Sequence, residues 1–407
     1  MTDTGRLPVA AKGGTSQVEL ARVVREHAGQ LAATLVRVTG DFATAEDLVQ
    51  DAVVTALQRW PADGIPDRPE AWLFTVARNR ALDRLRREEN HRSKLARLQW
   101  PIEPEPDERL RLIFTCCHPA LPRAAQVALT LRVVCGLTTA QIARAFVVPE
   151  ATVAQRITRA KRKINDAAIP YRIPSPDELD ARLSEVLAVI YLLLNEGYLS
   201  TTETASRDLV DDSDWLASLL FSLMPTEPEV AGLLALIRLH RARADARFDP
   251  DGALVLLEHQ DRSAWDHQLI AGATQLLVRA ARYRRPGPYQ LQAAIVACHA
   301  EAERWADTDW EQIVVLYDML LHLAPSPTTR LHRAIALRYV HGPHAALAEL
   351  AALAGELDRY HLFHATRAEL LRAIGDPDTA TAADRRALEL TSNPAEQALL
   401  RQRIDWR

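Results

Sequence analysis

Between residues 150 and 165 the side chains able to address a base edge lie on one side of a helical period. Ala151, Gln155, Thr158 and Arg162, flanked by Thr152 and Arg159, oppose Val153, Ile157, Ala160 and Ile164, which recur at helical spacing and suit a buried stripe. Glutamine can pair bidentately with adenine, arginine with guanine, and threonine can reach a base edge or a phosphate. Arg156, Lys161, Arg162 and Lys163 add cations that neutralise phosphates without reading sequence. A second basic run, Arg78–Arg97, holds eight Lys+Arg against three Asp+Glu and follows Trp72 and Phe74. Cations that track a backbone, together with aromatic stacking surfaces, suit a single nucleic-acid strand; Trp72 fits core packing better than such stacking. A third group, Glu46, Asp47, Gln50 and Asp51, makes an acidic-polar helix face that by itself reads as solvated.

Other chemistries fit poorly. Cys116-Cys117-His118 has the residue types of a metal site but lacks a second ligand pair at zinc-site spacing. Neighbouring cysteines do not bridge easily, and Cys135 and Cys298 complete no disulfide framework. The chain carries no glycine-rich phosphate loop, paired ligand motif or nucleophile elbow. An enzyme, a metal and a cofactor are therefore not expected. Histidines such as His361 and His364 read as ordinary helix residues.

The elements that must hold these groups are helices. Glycine accounts for 15 of 407 residues, about 4% against a usual ~7%, while Ala, Leu and Arg, strong helix formers, are abundant. An all-α fold is expected. A first helix is predicted over about 17–38, with Leu20, Val23, Val24, His27, Leu31 and Leu35 in phase. Thr44 is the expected N-cap of the next, which buries Leu48, Ala52, Val53, Ala56 and Leu57. Three prolines and a glycine make 60–69 a loop, and a long helix follows from about Glu70 past Arg87. Pro101, Pro104 and Pro106 mark an extended linker over 99–108. Within 121–165, a helix ending at Gly136, a short helix capped by Thr138, a turn at 147–149 and the helix from Glu150 compose a helix-turn-helix.

Pro170, Pro174 and Pro176 mark a second boundary. Beyond it, Ala300, Ala334 and Ala368 stand 34 residues apart; Leu337 maps onto Leu371 and Ala346 onto Ala380. Each helix is followed by a turn (307–309, 342–343, 375–377) and a second helix. This is the tetratricopeptide period; a generic helical bundle is the alternative. The expected units are thus 15–98, 109–170 and 175–407. Charge divides along the same line. Residues 1–170 hold 25 Lys+Arg against 19 Asp+Glu and the remainder 24 against 34, which the formal charge of −4 conceals. Only the first part is suited to a polyanion. The longest apolar run, Val186–Leu194, is far too short for a membrane span, and no apolar signal core opens the chain, so a cytoplasmic protein is expected.

The stretch Asp41-Phe42-Ala43-Thr44-Ala45-Glu46-Asp47-Leu48-Val49-Gln50-Asp51-Ala52 resembles region 2.2 of bacterial RNA polymerase sigma factors. Glu70–Arg87 resembles their regions 2.3 and 2.4. The helix-turn-helix resembles region 4, including Thr152-Val153, Arg156 and Arg159-Ala160. Order and spacing over about 15–168 are similar to the extracytoplasmic-function class. The resemblance implies core RNA polymerase and promoter DNA as partners. Glu46, Asp47, Gln50 and Asp51 would bind the clamp coiled coil of the largest subunit, with the flap region as a further contact. Asp63, in a loop that would receive an extruded base, and Trp72, Phe74, Arg78, Asn79, Arg80, Arg84 and Arg87 would meet the −10 element. Thr152, Gln155, Arg156, Thr158, Arg159, Arg162 and Lys163 would meet the −35 element. Ala154-Gln155 departs from the common family pattern of a basic residue followed by serine, so a consensus promoter is not implied.

Members of this class usually end after region 4. The additional ~235 residues, with Tyr191–Tyr198 and Asp309-Trp310, resemble a subgroup whose helical, tetratricopeptide-like extension is thought to regulate activity. The resemblance implies a regulatory partner or an intramolecular contact of that extension. Two other readings remain: a helix-turn-helix regulator that does not join polymerase, and a tetratricopeptide scaffold. The regulator leaves the 41–52 and 60–87 segments unexplained.

Overall fold

Asp41, not Thr44, starts the first long helix. The structure, a computed structural model, describes residues 27–36, 39, 41–87, 108–146, 148–199, 203–250 and 252–405. Asp41 is extended (φ −134°, ψ 118°), and its carboxylate accepts from the backbone N–H groups of Ala43 and Thr44 at 3.4 and 2.8 Å. A carboxylate is a good acceptor for the unpaired N–H groups of a first turn, which leaves Thr44 inside the Phe42–Asp63 helix. That helix also runs through Pro61 instead of stopping at Trp60. Pro61 brings no N–H to the ladder, so that turn forgoes one bond, and Gly64 (φ 84°) closes the helix by donating to the Trp60 carbonyl at 3.0 Å. Only residues 64–68 separate it from the Pro69–Arg87 helix.

Of the first predicted helix, residues 27–36 are described and helical, with Leu31 and Leu35 buried; residues 17–26 lie outside the described residues. So do 88–107, which contain most of the expected linker and the second half of the Arg78–Arg97 run.

The helix-turn-helix forms as its residues require. Arg123–Val133 ends before Gly136 (φ 72°). Thr138 caps Thr139–Ala145 through a capping box: its hydroxyl accepts from the Gln141 N–H at 3.2 Å, and the Gln141 side-chain oxygen accepts from the Thr138 N–H at 2.8 Å. The Glu150–Asp166 helix then buries Val153, Ile157, Ala160 and Ile164, the stripe its spacing predicts.

The chain divides into two compact units, Met1–Gly197 and Tyr198–Arg407. The division falls later than the proline cluster at 170–176, for a reason visible in side chains. Arg182 donates to the Phe114 carbonyl at 2.5 Å, and Arg123 reaches both the Glu185 carbonyl (3.0 Å) and its carboxylate (2.8 Å). The start of the Pro176–Leu199 helix is thereby fastened to the first unit.

In the second unit, Glu203–Leu223 and Pro228–Arg241 pack together and are followed by His267–Ala281. Helical hairpins come next: Pro288–Glu301 with Trp310–Leu323, the two halves of Pro327–Ala351, and His361–Ala373 with Pro377–Leu390. Gly342 (φ 82°, ψ 169°) breaks Pro327–Ala351 into two helices, a conformation a side chain would strain. Ala300, Ala334 and Ala368, at the 34-residue period, are all buried, as are Ala346 and Ala380. Pro394–Asp405 follows the last hairpin. The described residues contain no β-strand beyond one isolated bridge, Phe248 to Leu254. The fold is all-α, and no helix is long and apolar enough to cross a membrane among the described residues.

Candidate nucleic-acid and partner interface

Once its apolar stripe is buried, the Glu150–Asp166 helix presents Gln155, Thr158, Arg159, Arg162 and Lys163 to solvent, with Thr152 and Arg156 half-buried at the edges. The Thr158 hydroxyl donates to the Ala154 carbonyl at 2.9 Å. Arg162 pairs with Asp166 at 3.2 Å, but both side chains are largely exposed, and such a pair is worth little. This guanidinium is readily given up to a stronger acceptor. A seven-residue helix, a tight turn and an exposed polar helix make the geometry that places side chains in a major groove.

The Pro69–Arg87 helix buries Leu73, Ala77 and Ala81 and exposes Arg78, Asn79 and Arg80. Phe74 is half-buried. Trp72 is half-buried too and meets the buried Trp60 edge-to-face, ring centroids 5.5 Å apart, an arrangement aromatic quadrupoles favour. Its packing role is thus filled. Asp63 is exposed at the helix end beside Gly64. Arg84 and Arg87 belong to the helix, and their side chains lie outside the described residues. Arg80 crosses to the preceding helix, donating to the Asp51 carboxylate at 3.0 Å and the Thr55 hydroxyl at 3.1 Å. A residue expected on DNA and one expected on polymerase therefore hold each other across two adjacent helices.

The same happens at Glu46, on a larger scale. Asp47 and Asp51 are exposed and Gln50 half-buried, but Glu46 is only 2% exposed. Its carboxylate accepts from Arg132 Nε at 2.8 Å and from the Lys161 ammonium, which also reaches Asp47 at 3.0 Å. Asn165 donates to Asp41 at 3.1 Å on the same side. Burial works against ionised Asp41, but the hydrogen bonds from Thr44, Asn165 and Ala43 prevail and hold its carboxyl below the usual range. The Glu46 end of the face expected to bind polymerase is thus tied to the helix expected to bind DNA. Sequence reasoning placed Lys161 among the phosphate cations and did not single out Arg132. Neither has a local signal, since the bonds to Glu46 span 86 and 115 residues.

Cys116 and Cys117 are fully buried thiols. Burial first, then Cys117 and Glu46, raise Cys116; burial pushes Cys117 up to about 11 against a hydrogen-bonding contact with the Thr130 hydroxyl. His118 Nδ1 accepts the Ala120 N–H at 3.1 Å. Such protonated thiols are poor metal ligands, and the described residues hold no group of three or more His, Cys, Asp or Glu able to bind a metal.

Residues 23–91 match the family Sigma-70 region 2, and residues 111–164 match Sigma-70, region 4. Residues 182–281 match a family of unknown function, DUF6596. An uncharacterized protein of Rhizobium meliloti, R00370, is 42% identical over 423 aligned residues, covering all of this chain and 96% of that protein. ECF RNA polymerase sigma factor SigL of Mycobacterium tuberculosis is 35% identical over 147 residues, 34% of this chain and 82% of SigL. The probable ECF RNA polymerase sigma factor SigI of the same organism is 29% identical over 158 residues, 36% of this chain and 54% of SigI. No solved structure matches.

Proposed function

This chain belongs to the ECF RNA polymerase sigma factors, and we propose that it directs core RNA polymerase to a specific promoter set, reading a −35 element with the Glu150–Asp166 helix and a −10 element with the Pro69–Arg87 helix and the loop before it. The observation that carries this reading is the capped helix-turn-helix with its exposed Gln155, Thr158, Arg159, Arg162 and Lys163, in the same chain as a region 2 match. Arg78, Asn79 and Arg80 are exposed as strand contacts require. The Phe42–Asp63 helix docks on the polymerase clamp through Asp47, Gln50 and Asp51, with Glu46 joining once it leaves Arg132 and Lys161. The protein acts in the cytoplasm without a catalytic centre of its own.

Initiation from purified components tests this. The protein added to core polymerase supports promoter-specific transcripts; a regulator or scaffold gives none without another sigma factor.

The hairpins of the second unit have the tetratricopeptide period, and stacked hairpins present an extended surface. The acidic extension gates or supports activity through an intramolecular or polymerase contact. A chain ending at Leu199, which retains Arg182 and Glu185, is the relevant truncation. Unchanged rate and regulation on the same promoter would remove the gating role.

A further inference from the structure

Two arginines of the second unit, one buried and one half-buried, stand without a paired carboxylate. Arg243 is 6% exposed. Its contacts are His240 Nδ1, 3.2 Å from a terminal nitrogen, and the Trp265 ring, whose centroid lies 5.9 Å from the guanidinium carbon. Arg262 sits 4.8 Å from the same centroid and donates through one terminal nitrogen to the carbonyls of His299 and Ala302. The Asp266 N–H bonds the Ala242 carbonyl at 2.9 Å, which fixes the Arg243 segment beside Trp265. Neither guanidinium meets a carboxylate among the described residues. Asp307, the acid that bears electrostatically on Arg262, is occupied by both prongs of Arg304 at 2.8 Å.

The hydrogen-bonding capacity at this place is also unspent. Arg243 Nε, Arg262 Nη2, Trp265 Nε1 and His299 Nδ1 are all buried with no partner. The local potential is positive: burial first, then Arg243 and Arg262, hold His299 down to about 4, and burial, Arg243 and Arg247 hold His240 down to about 3. Both imidazoles are therefore neutral at pH 7 and add no charge. Burying an uncompensated cation is strongly unfavourable, and a buried polar group left unmet calls for a partner. The unmet groups include one nitrogen of each guanidinium and the indole N–H, all donors. Guanidinium forks match the planar or tetrahedral oxygens of a carboxylate or phosphate.

We propose that Arg243, Arg262 and the Trp265 indole N–H form a binding site for a small oxyanion, a phosphate or carboxylate group, inside the C-terminal extension. The site belongs to the second unit and does not rest on the proposed function. Thermal melting of the full chain tests it, with inorganic phosphate or acetate titrated against sodium chloride at matched ionic strength. The expected result is saturable stabilisation of the wild type, about 5 °C or more when the anion reaches a hundredfold of its dissociation constant. In chloride alone, Arg243→Met melts no lower than wild type, because an unpaired buried charge has been removed; with the effective anion it fails to rise. A response to phosphate alone assigns a phosphoryl ligand, and a response to acetate alone a carboxylate. If neither anion stabilises the wild type beyond chloride, or if Arg243→Met responds as the wild type does, the proposal is overturned.

Discussion

Replacing Lys161 by methionine keeps most of the aliphatic stem and removes the ammonium that holds Glu46 and Asp47. Glu46 is 3% and Lys161 16% exposed at the side chain, so solvent screens their attraction little. At an effective dielectric near 20, two charges at ~4 Å attract by about 4 kcal/mol, and the cost of desolvating both offsets much of that. Arg132 remains at 2.8 Å to share the charge of Glu46. Couplings between contacting groups run from about 0.5 to 3 kcal/mol; about 2 kcal/mol is expected here, which is roughly a 30-fold change in an equilibrium constant. The loss falls on the contact between the two helices. If polymerase needs the Phe42–Asp63 face free, apparent affinity scales with the fraction in which that contact is open. Lys161→Met is therefore expected to bind core polymerase, without DNA, up to about 30-fold more tightly than wild type. Fluorescence anisotropy of labelled protein titrated with core polymerase measures this. An unchanged or weaker affinity, in a variant whose far-ultraviolet dichroism is native and whose melting remains cooperative, would refute the reasoning.

Other perturbations have equally specific outcomes. Asp41→Ala removes an N-cap and the acceptor of Asn165 and is expected to cost about 1–2 kcal/mol in a urea titration. Because the folded carboxyl titrates below its unfolded value, that contribution is present above the unfolded pKa and disappears as pH falls through the lower folded one; the stability gap between wild type and variant should close below about pH 4. Gly232→Ala would set a Cβ 2.7 Å from the Gln290 backbone nitrogen. Backbone cannot yield as a side-chain tip does, so a loss of about 2–3 kcal/mol is expected, seen as a lower urea midpoint. Thiol titration at pH 8 should find Cys116, Cys117 and Cys135 unreactive in the native protein, since all are buried, and all four cysteines reactive in denaturant; fast native labelling of the Cys116–Cys117 pair would contradict their burial.

Much of this architecture is legible in the chain because it is local. The four-three-four spacing of Val153, Ile157, Ala160 and Ile164 specifies which side of their helix is buried, and the Thr138–Gln141 pair marks where its predecessor begins. The 34-residue recurrence of Ala300, Ala334 and Ala368 specifies a repeated close approach. Glu46 shows where such reading fails. It shares a helix face with Phe42, Val49 and Val53, which are buried, yet a carboxylate there is uninterpretable until Arg132 and Lys161 are known to arrive. The expectation of Thr44 as cap failed for a subtler reason, since the cap is Asp41. Both can accept from a first turn, and the extended backbone at 41 decides between them. Arg243 is invisible for a third reason, since nothing in the run Arg238, Arg241, Arg243 and Arg247 tells which will be buried.

Lys161 is a single cation with two claims upon it. While it holds Glu46 it is withdrawn from any phosphate, and while it holds a phosphate it is withdrawn from Glu46. Under the proposed function, each of these ligands lowers the cost of binding the other, by the same factor in both directions. Encounter with stray DNA would be weak until polymerase has drawn Glu46 away, and the holoenzyme would hold its promoter more firmly than the free subunit could. Order of assembly would then follow from one side chain's inability to be in two places.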